Sequence, residues 1–141
     1  MTIQPIVYVP TIVSTAILGM VVYLNNKRAT ANRMFALFCL AIVLWLVFLF
    51  AADTSSTASL SILFLRLGIA ISIIMAISFI LLADVLSSRG RRTEIIWMVS
   101  ILPIIFFVPL SFTKYVVQGV ALQPWGADVV SGPVYNYITA F

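Results

Sequence analysis

The sequence predicts an all-α fold, a polytopic bundle of transmembrane helices, and three observations lead to that prediction. Of its 141 residues, 63% are hydrophobic and only 9% are charged, whereas soluble domains carry about 25% charged residues. Residues 1–26 and 34–52 contain no charge at all. Six of the eight cations lie in two short loops, and clustering of cations in short loops is how membrane proteins specify their topology.

The first basic loop, NNKRATANR at residues 25–33, orients the whole chain. It carries Lys27, Arg28 and Arg33 between two apolar runs, predicted as spans at 5–24 and 33–52. Each run is about 20 residues long, which is enough to cross a bilayer. Short cationic loops stay in the cytoplasm, so we expect the N-terminus outside. No cation precedes the first run, so we expect an uncleaved helix rather than a signal peptide.

The second basic loop, SSRGRR, provides a check on that orientation. It follows a third predicted span at 60–86 and carries Arg89, Arg91 and Arg92. Two crossings separate it from the first loop, so both basic loops fall on the same side of the membrane. The six topology determinants are therefore consistent with one another.

A fourth span is predicted at 94–112, and prolines interrupt the helical pattern. Pro103 and Pro109 should bend or break this helix, because each lacks a backbone N–H and clashes with the preceding turn. Pro10 should kink the first helix or delay its start. We expect residues 114–132 to be external and to lie along the membrane surface. A fifth span starting near residue 134 is too short to cross a bilayer, so the single domain at 1–141 is expected to be incomplete.

Two stripes of small residues recur at four-residue spacing, at Thr11, Thr15 and Gly19 and again at Gly68, Ser72 and Ala76. Small side chains allow two membrane helices to approach closely. The second stripe predicts the packing face of the third helix.

The residue types exclude most catalytic chemistry. The chain has no His and a single Cys39 within an apolar run. Its four carboxylates, Asp53, Asp84, Glu94 and Asp128, all lie near predicted helix ends rather than paired in a cleft. We therefore predict no enzyme activity, no metal, no cofactor and no nucleic-acid partner. The predicted partner is the lipid bilayer.

Arg66 is the one charge in the interior of a predicted span, about two turns from its outer end, since the other charges lie near span ends. A charge at that depth suggests a function by default. The structural interpretation is snorkelling, or an ion pair with Asp53 or Asp128. The functional interpretation is a site for an anion or another ligand, covered by residues 114–132. The position near the outer end favours the structural interpretation.

Several segments resemble a known family. They are Asn32-Arg33 in the first loop, the FALFCLAIVLW run that ends at Trp45, FLRLGIAI around Arg66, and PWGADVVSGPVY. Together they resemble the N-terminal seven-transmembrane sensor region of bacterial histidine kinases. The resemblance implies four helices and the start of a fifth, in the plasma (inner) membrane, feeding a cytoplasmic kinase module that dimerises.

The function implied by the resemblance is a sensory input module of a two-component-type signalling protein, with an unknown ligand. Kinase activity cannot belong to these residues, because the phospho-acceptor His and the ATP-binding module are missing. Two alternatives remain open: a fragment of a small transporter or channel, and a membrane anchor or assembly subunit that senses nothing. An inverted repeat of these helices would favour the transporter.

Overall fold

A computed structural model describes residues 4–87, 93–123 and 126–133, with side chains at 6–87, 101–121 and 130–133. The described residues form four helices followed by a two-stranded hairpin. The helices are α1 (Gln4–Asn25), α2 (Thr30–Thr54), α3 (Ala58–Leu86) and α4 (Thr93–Ser111), and the strands are β1 (Val117–Gln123) and β2 (Gly126–Ser131). The all-α fold class is confirmed.

Within the described part of the chain, three helices are long and apolar enough to cross a membrane: Ile6–Asn25, Thr30–Thr54 and Ala58–Leu86. They match the first three predicted spans to within three residues at each end. The fourth predicted span corresponds to α4, which has 19 residues. Side chains of α4 are described only from residue 101 onward, so its crossing remains a prediction. The second basic loop, with Arg89, Arg91 and Arg92, and the fifth span from about 134 lie outside the described residues.

The helices pack mainly against their neighbours in sequence, and the contact between α2 and α3 is the most extensive. Phe38 meets Phe79 with ring centroids 5.7 Å apart, and Phe48 meets Phe64 at 6.5 Å. These pairs lie at two levels of an antiparallel helix pair. Large apolar side chains remain uncovered on α1 above all, where Ile6 is 71% exposed. Such an all-round apolar surface is expected when lipid rather than water surrounds a helix.

The helices α1 and α2 approach each other closely at Gly19. This residue is buried, and a Cβ built on it would lie 2.7 Å from the Cβ of Cys39. Thr15, one turn earlier, is half-buried, and Thr11 is exposed. The first stripe of small residues therefore makes its close helix contact at Gly19.

Three prolines lie inside continuous helices, Pro10 in α1 and Pro103 and Pro109 in α4. The helix α1 begins at Gln4 and runs through Pro10, so its start is not delayed, and a kink at Pro10 stays a prediction. The hydroxyl of Thr11 donates to the carbonyl of Val7 at 2.8 Å in the same turn. Pro103 and Pro109 both lie inside the continuous α4, so the helix does not break there, and a bend at these prolines stays a prediction. A membrane helix tolerates proline where neighbouring groups satisfy the freed carbonyls.

The strands β1 and β2 pair as an antiparallel hairpin that the sequence analysis missed. The register pairs Val117 with Ser131, Gly119 with Val130 and Gln123 with Gly126. The register shifts between Val117 and Gly119, which leaves one extra residue in β1, a β-bulge. The hairpin packs against the bundle, with β1 on α3 and β2 on α2. We call this the hairpin end of the bundle, and the end that holds the α1–α2 turn the turn end.

Candidate functional site: Arg66 beneath the hairpin

Arg66 lies on α3 eight residues after the helix begins at Ala58, which corresponds to about 12 Å along the axis. Its side chain is half-buried and faces the hairpin. The guanidinium Nη2 donates a hydrogen bond to the backbone carbonyl of Val117 at 3.0 Å. Arg66 thus contacts the segment at residues 114–132, which was predicted to cover a ligand site at this residue.

The guanidinium is incompletely satisfied. Its Nε is buried and has no hydrogen-bond partner in the described part of the chain. A buried donor left without a partner costs about 1–3 kcal/mol, and more when the group is charged. The buried Nε therefore distinguishes Arg66 from a snorkelling arginine, whose guanidinium reaches water.

Neither predicted carboxylate is seen to neutralise Arg66. Asp53 accepts a hydrogen bond from the Tyr8 hydroxyl at 3.1 Å. Asp128 lies in β2 opposite Ala121, four residues along β1 from Val117, and its side chain lies outside the described ones. Among the described side chains, Arg66 has no carboxylate partner, and a backbone carbonyl occupies that position instead.

Val117 links the hairpin to α3, because its carbonyl accepts the hydrogen bond from Arg66. Both Val116 and Val117 are completely buried, so the start of β1 is firmly packed against the helices. The bulge follows directly after Val117, and bulges re-aim the chain next to functional sites. Within the hairpin, the N–H of Gly132 donates to the carbonyl of Val116 at 2.9 Å. The neighbouring carbonyl, that of Val117, accepts the hydrogen bond from Arg66.

Below Arg66, the small-residue stripe of α3 packs only in part. Gly68 is buried against α2, and a Cβ there would lie 3.8–4.0 Å from side-chain atoms of Leu49, Phe48 and Trp45. Ser72 is half-buried and Ala76 is exposed in the described part of the chain, so the packing of Ala76 against another helix stays a prediction. A helix advances 3.6 residues per turn, so eight residues rotate the side chain by about 80° from Gly68.

Other side-chain contacts tie the helices together at the hairpin end. Tyr8 of α1 joins Asp53 of α2 through its hydroxyl, and its ring lies 5.6 Å from that of Phe50. The fully buried Ser61 of α3 donates to the carbonyl of Ala52 at 3.0 Å. Arg66 is therefore held on a frame in which α1, α2 and α3 are directly linked.

At the turn end, the loop between α1 and α2 is ordered by its own polar residues. The Asn26 side-chain oxygen accepts from the backbone N–H groups of Arg28 and Ala29. The amide nitrogen of Asn32 donates to the Val22 carbonyl at 2.9 Å, which ties the start of α2 back to α1.

The three cations of this turn are all exposed, at Lys27, Arg28 and Arg33. Arg33 folds back over the turn, where its Nε donates to the Lys27 carbonyl at 2.7 Å. The ordered turn therefore presents its positive charges together at one end of the bundle. That is the charge distribution expected of a loop that resists translocation.

Metal-ligating side chains do not cluster among the residues that the structure describes. Across the described residues, no group of three or more His, Cys, Asp or Glu could hold a metal ion. Cys39 is buried against Gly19, and Asp84 lies half-buried near the end of α3.

The feature that sequence reasoning missed at this site is the acceptor of Arg66. A backbone carbonyl 51 residues away leaves no side-chain signature in a sequence. A signal for the hairpin itself was present, since two valine-containing runs flank Pro124, Trp125 and Gly126. Such runs separated by a short turn indicate a β-hairpin.

No protein-family model matches the chain, and neither does any curated protein or solved structure. The function must therefore be argued from the geometry at Arg66.

Proposed function

We propose that this chain is a membrane-embedded sensory input module of a two-component-type signalling protein, without catalytic residues of its own. The observation that carries the proposal is the hydrogen bond from Arg66 to the Val117 carbonyl. It joins a charge inside an apolar helix to a hairpin at one end of the bundle. In this proposal the hairpin takes up an external signal and α3 carries the response across the membrane.

The length of α3 supports this role. Its 29 residues correspond to about 44 Å, more than the roughly 30 Å core of a bilayer. A displacement at Arg66 could therefore reach the other side of the membrane along a single helix. The extensive packing of α3 on α2 would pass the same displacement to a second helix.

The proposed location is the plasma (inner) membrane. In the proposed orientation, the hairpin end lies outside and the turn end lies in the cytoplasm. Support comes from the exposed cations Lys27, Arg28 and Arg33, because cationic loops are retained on the cytoplasmic side. We further propose that the parent protein self-associates as a dimer, which brings two output modules together.

The proposal is tested in cells from which the whole gene has been deleted. They are complemented with the wild-type gene, with Arg66→Lys, or with Arg28→Lys as a matched control at the exposed turn. Transcript profiles and the amount of protein in the membrane are measured. We expect wild type and Arg28→Lys to restore the transcripts that deletion changes. Arg66→Lys should not restore them at an equal membrane level, because lysine lacks the planar fork of donors.

Two outcomes would contradict the sensory role. Unchanged transcripts after deletion would favour an anchor or assembly subunit. Solute flux through wild-type protein in proteoliposomes, lost in Arg66→Lys, would favour a transporter or channel.

A further inference from the structure

We propose that Arg66 is a binding site for a monoanionic carboxylate ligand, which competes with the Val117 carbonyl for the guanidinium. Binding would therefore detach the start of β1 from α3. The role of this event in signalling rests on the proposed sensory function, but the site itself does not.

The first argument for a carboxylate ligand is the Nε–H donor of Arg66, which has no partner in the described part of the chain. In a guanidinium group, Nε–H and one N–H of Nη2 point in the same direction along one edge, and this edge matches the two oxygens of a carboxylate. The Val117 carbonyl takes a bond from Nη2, while Nε is buried without a partner. A single carbonyl oxygen leaves the pair of donors half-satisfied, whereas a carboxylate would satisfy both.

Charge favours the same ligand class. Arg66 has no carboxylate partner among the described side chains, so its positive charge lacks a counter-ion there. Asp84 lies 18 residues further along α3, about 27 Å away. The buried neighbours Val116 and Val117 are apolar. A single cation in such surroundings complements one negative charge, while a phosphate dianion would carry a second, uncompensated charge.

Ligand binding and hairpin docking exclude each other in this arrangement. The carboxylate takes the Nη2 donor that otherwise bonds to Val117, so β1 loses its polar tie to α3. The bond from Gly132 to the Val116 carbonyl lies within the hairpin and is unaffected. The hairpin would therefore stay folded while its contact with the helix weakens.

Hydrogen–deuterium exchange of the full chain in nanodiscs of neutral lipid tests this proposal. Sodium butyrate is the probe, at concentrations up to roughly 50 mM, a range that detects millimolar affinity. Butyramide is the neutral analogue of the same shape, and sodium chloride matches the ionic strength. We expect butyrate alone to speed exchange of the backbone amides at residues 113–120 by about tenfold, because local opening becomes easier.

Arg66→Lys should abolish the butyrate effect, and Arg28→Lys, at the turn end, should keep it. Equal exchange with butyrate and butyramide in the wild-type protein would overturn the proposal, whatever the variants do. A butyrate effect that persists in Arg66→Lys would also overturn it.

These results are separable from the test of the sensory role. A butyrate effect in nanodiscs together with unchanged transcripts after gene deletion leaves the site standing and removes the signalling function. Transcripts that depend on Arg66, with no effect of butyrate on exchange, remove the carboxylate site alone.

Discussion

At the scale of single residues, two glycines look alike in the sequence but differ in how closely a neighbour approaches. A Cβ on Gly19 would lie 2.7 Å from the Cβ of Cys39, while a Cβ on Gly68 would meet its neighbours at 3.8 Å or more. We expect Gly19→Ala to cost about 1–3 kcal/mol through overpacking. Gly68→Ala should leave stability unchanged or raise it by up to about 1 kcal/mol, since alanine favours helix. Thermal unfolding in detergent measures both.

A rescue variant tests whether the cost arises at the Cys39 contact. Cys39→Gly removes the Cβ that an alanine at position 19 would meet. Gly19→Ala should therefore be much less destabilising in the Cys39→Gly background than in the wild type. Equal costs in the two backgrounds would show that the helices do not meet at this pair.

The bond between Tyr8 and Asp53 provides a second comparison of single residues. Tyr8→Phe removes the hydroxyl but keeps the ring beside Phe50. We expect a loss of about 1 kcal/mol, a typical value for one hydrogen bond. Tyr23→Phe is the matched control, because Tyr23 lies on the same helix and is 40% exposed. A melting temperature that falls equally in both variants would argue against the Tyr8 bond.

The sequence could indicate that small residues matter but not how each one packs. The stripe of Gly68, Ser72 and Ala76 was predicted as one face, yet Ala76 is exposed. Four-residue spacing drifts around a helix by about 40° per step, so a stripe of three residues does not remain on one contact. Ranking Gly19 above Gly68 required the distance between two backbones, which spacing does not contain.

At the scale of elements, the sequence predicted the long helices, but the hairpin was missed. Length and apolarity place a membrane helix with little ambiguity, and α3, predicted at 60–86, is observed at Ala58–Leu86. The hairpin is stabilised instead by packing on α2 and α3, far away in sequence. Its strands are short, and a two-stranded hairpin is marginal by itself. The sequence of residues 114–132 alone therefore contains only part of the information that determines the hairpin.

Two glycines at the hairpin offer a matched test of its geometry. A Cβ on Gly132 would overlap the backbone carbonyl of Tyr115, whereas a Cβ on Gly119 would lie 3.9 Å from that of Val130. We expect Gly132→Ala to disrupt the base of the hairpin and to raise amide exchange throughout residues 117–131. Gly119→Ala should leave exchange at the wild-type level. Similar exchange in the two variants would contradict the close approach at Gly132.

At the scale of the whole molecule, the charges and the apolar surfaces divide the chain into two ends and a middle. The exposed cations Lys27, Arg28 and Arg33 mark the turn end, while Arg66 lies half-buried within α3 and is hydrogen-bonded to the hairpin. The sequence identified Arg66 as unusual because charges in spans are costly. Its acceptor depended on how the chain folds back from α4, which only the three-dimensional arrangement reveals.

The orientation of the bundle is tested with two single-cysteine variants, one at the turn end and one at the hairpin end. Thr30 begins α2 at the turn end and Thr57 precedes α3 at the hairpin end, and both are exposed. Each becomes the only cysteine when Cys39 is replaced by alanine. We expect a membrane-impermeant maleimide to label Thr57→Cys in intact cells, and Thr30→Cys only after lysis, because the cationic turn is retained in the cytoplasm.

Replacing Lys27, Arg28 and Arg33 by glutamine identifies what sets this orientation. Without these cations, a fraction of the molecules should insert the other way, so Thr30→Cys would become labelled in intact cells. A mixed population is expected rather than full inversion, because the second basic loop still carries Arg89, Arg91 and Arg92. Labelling of Thr30→Cys in intact cells before any cation is removed would place the turn end outside and the hairpin in the cytoplasm. An external ligand could then not reach Arg66 from the hairpin side.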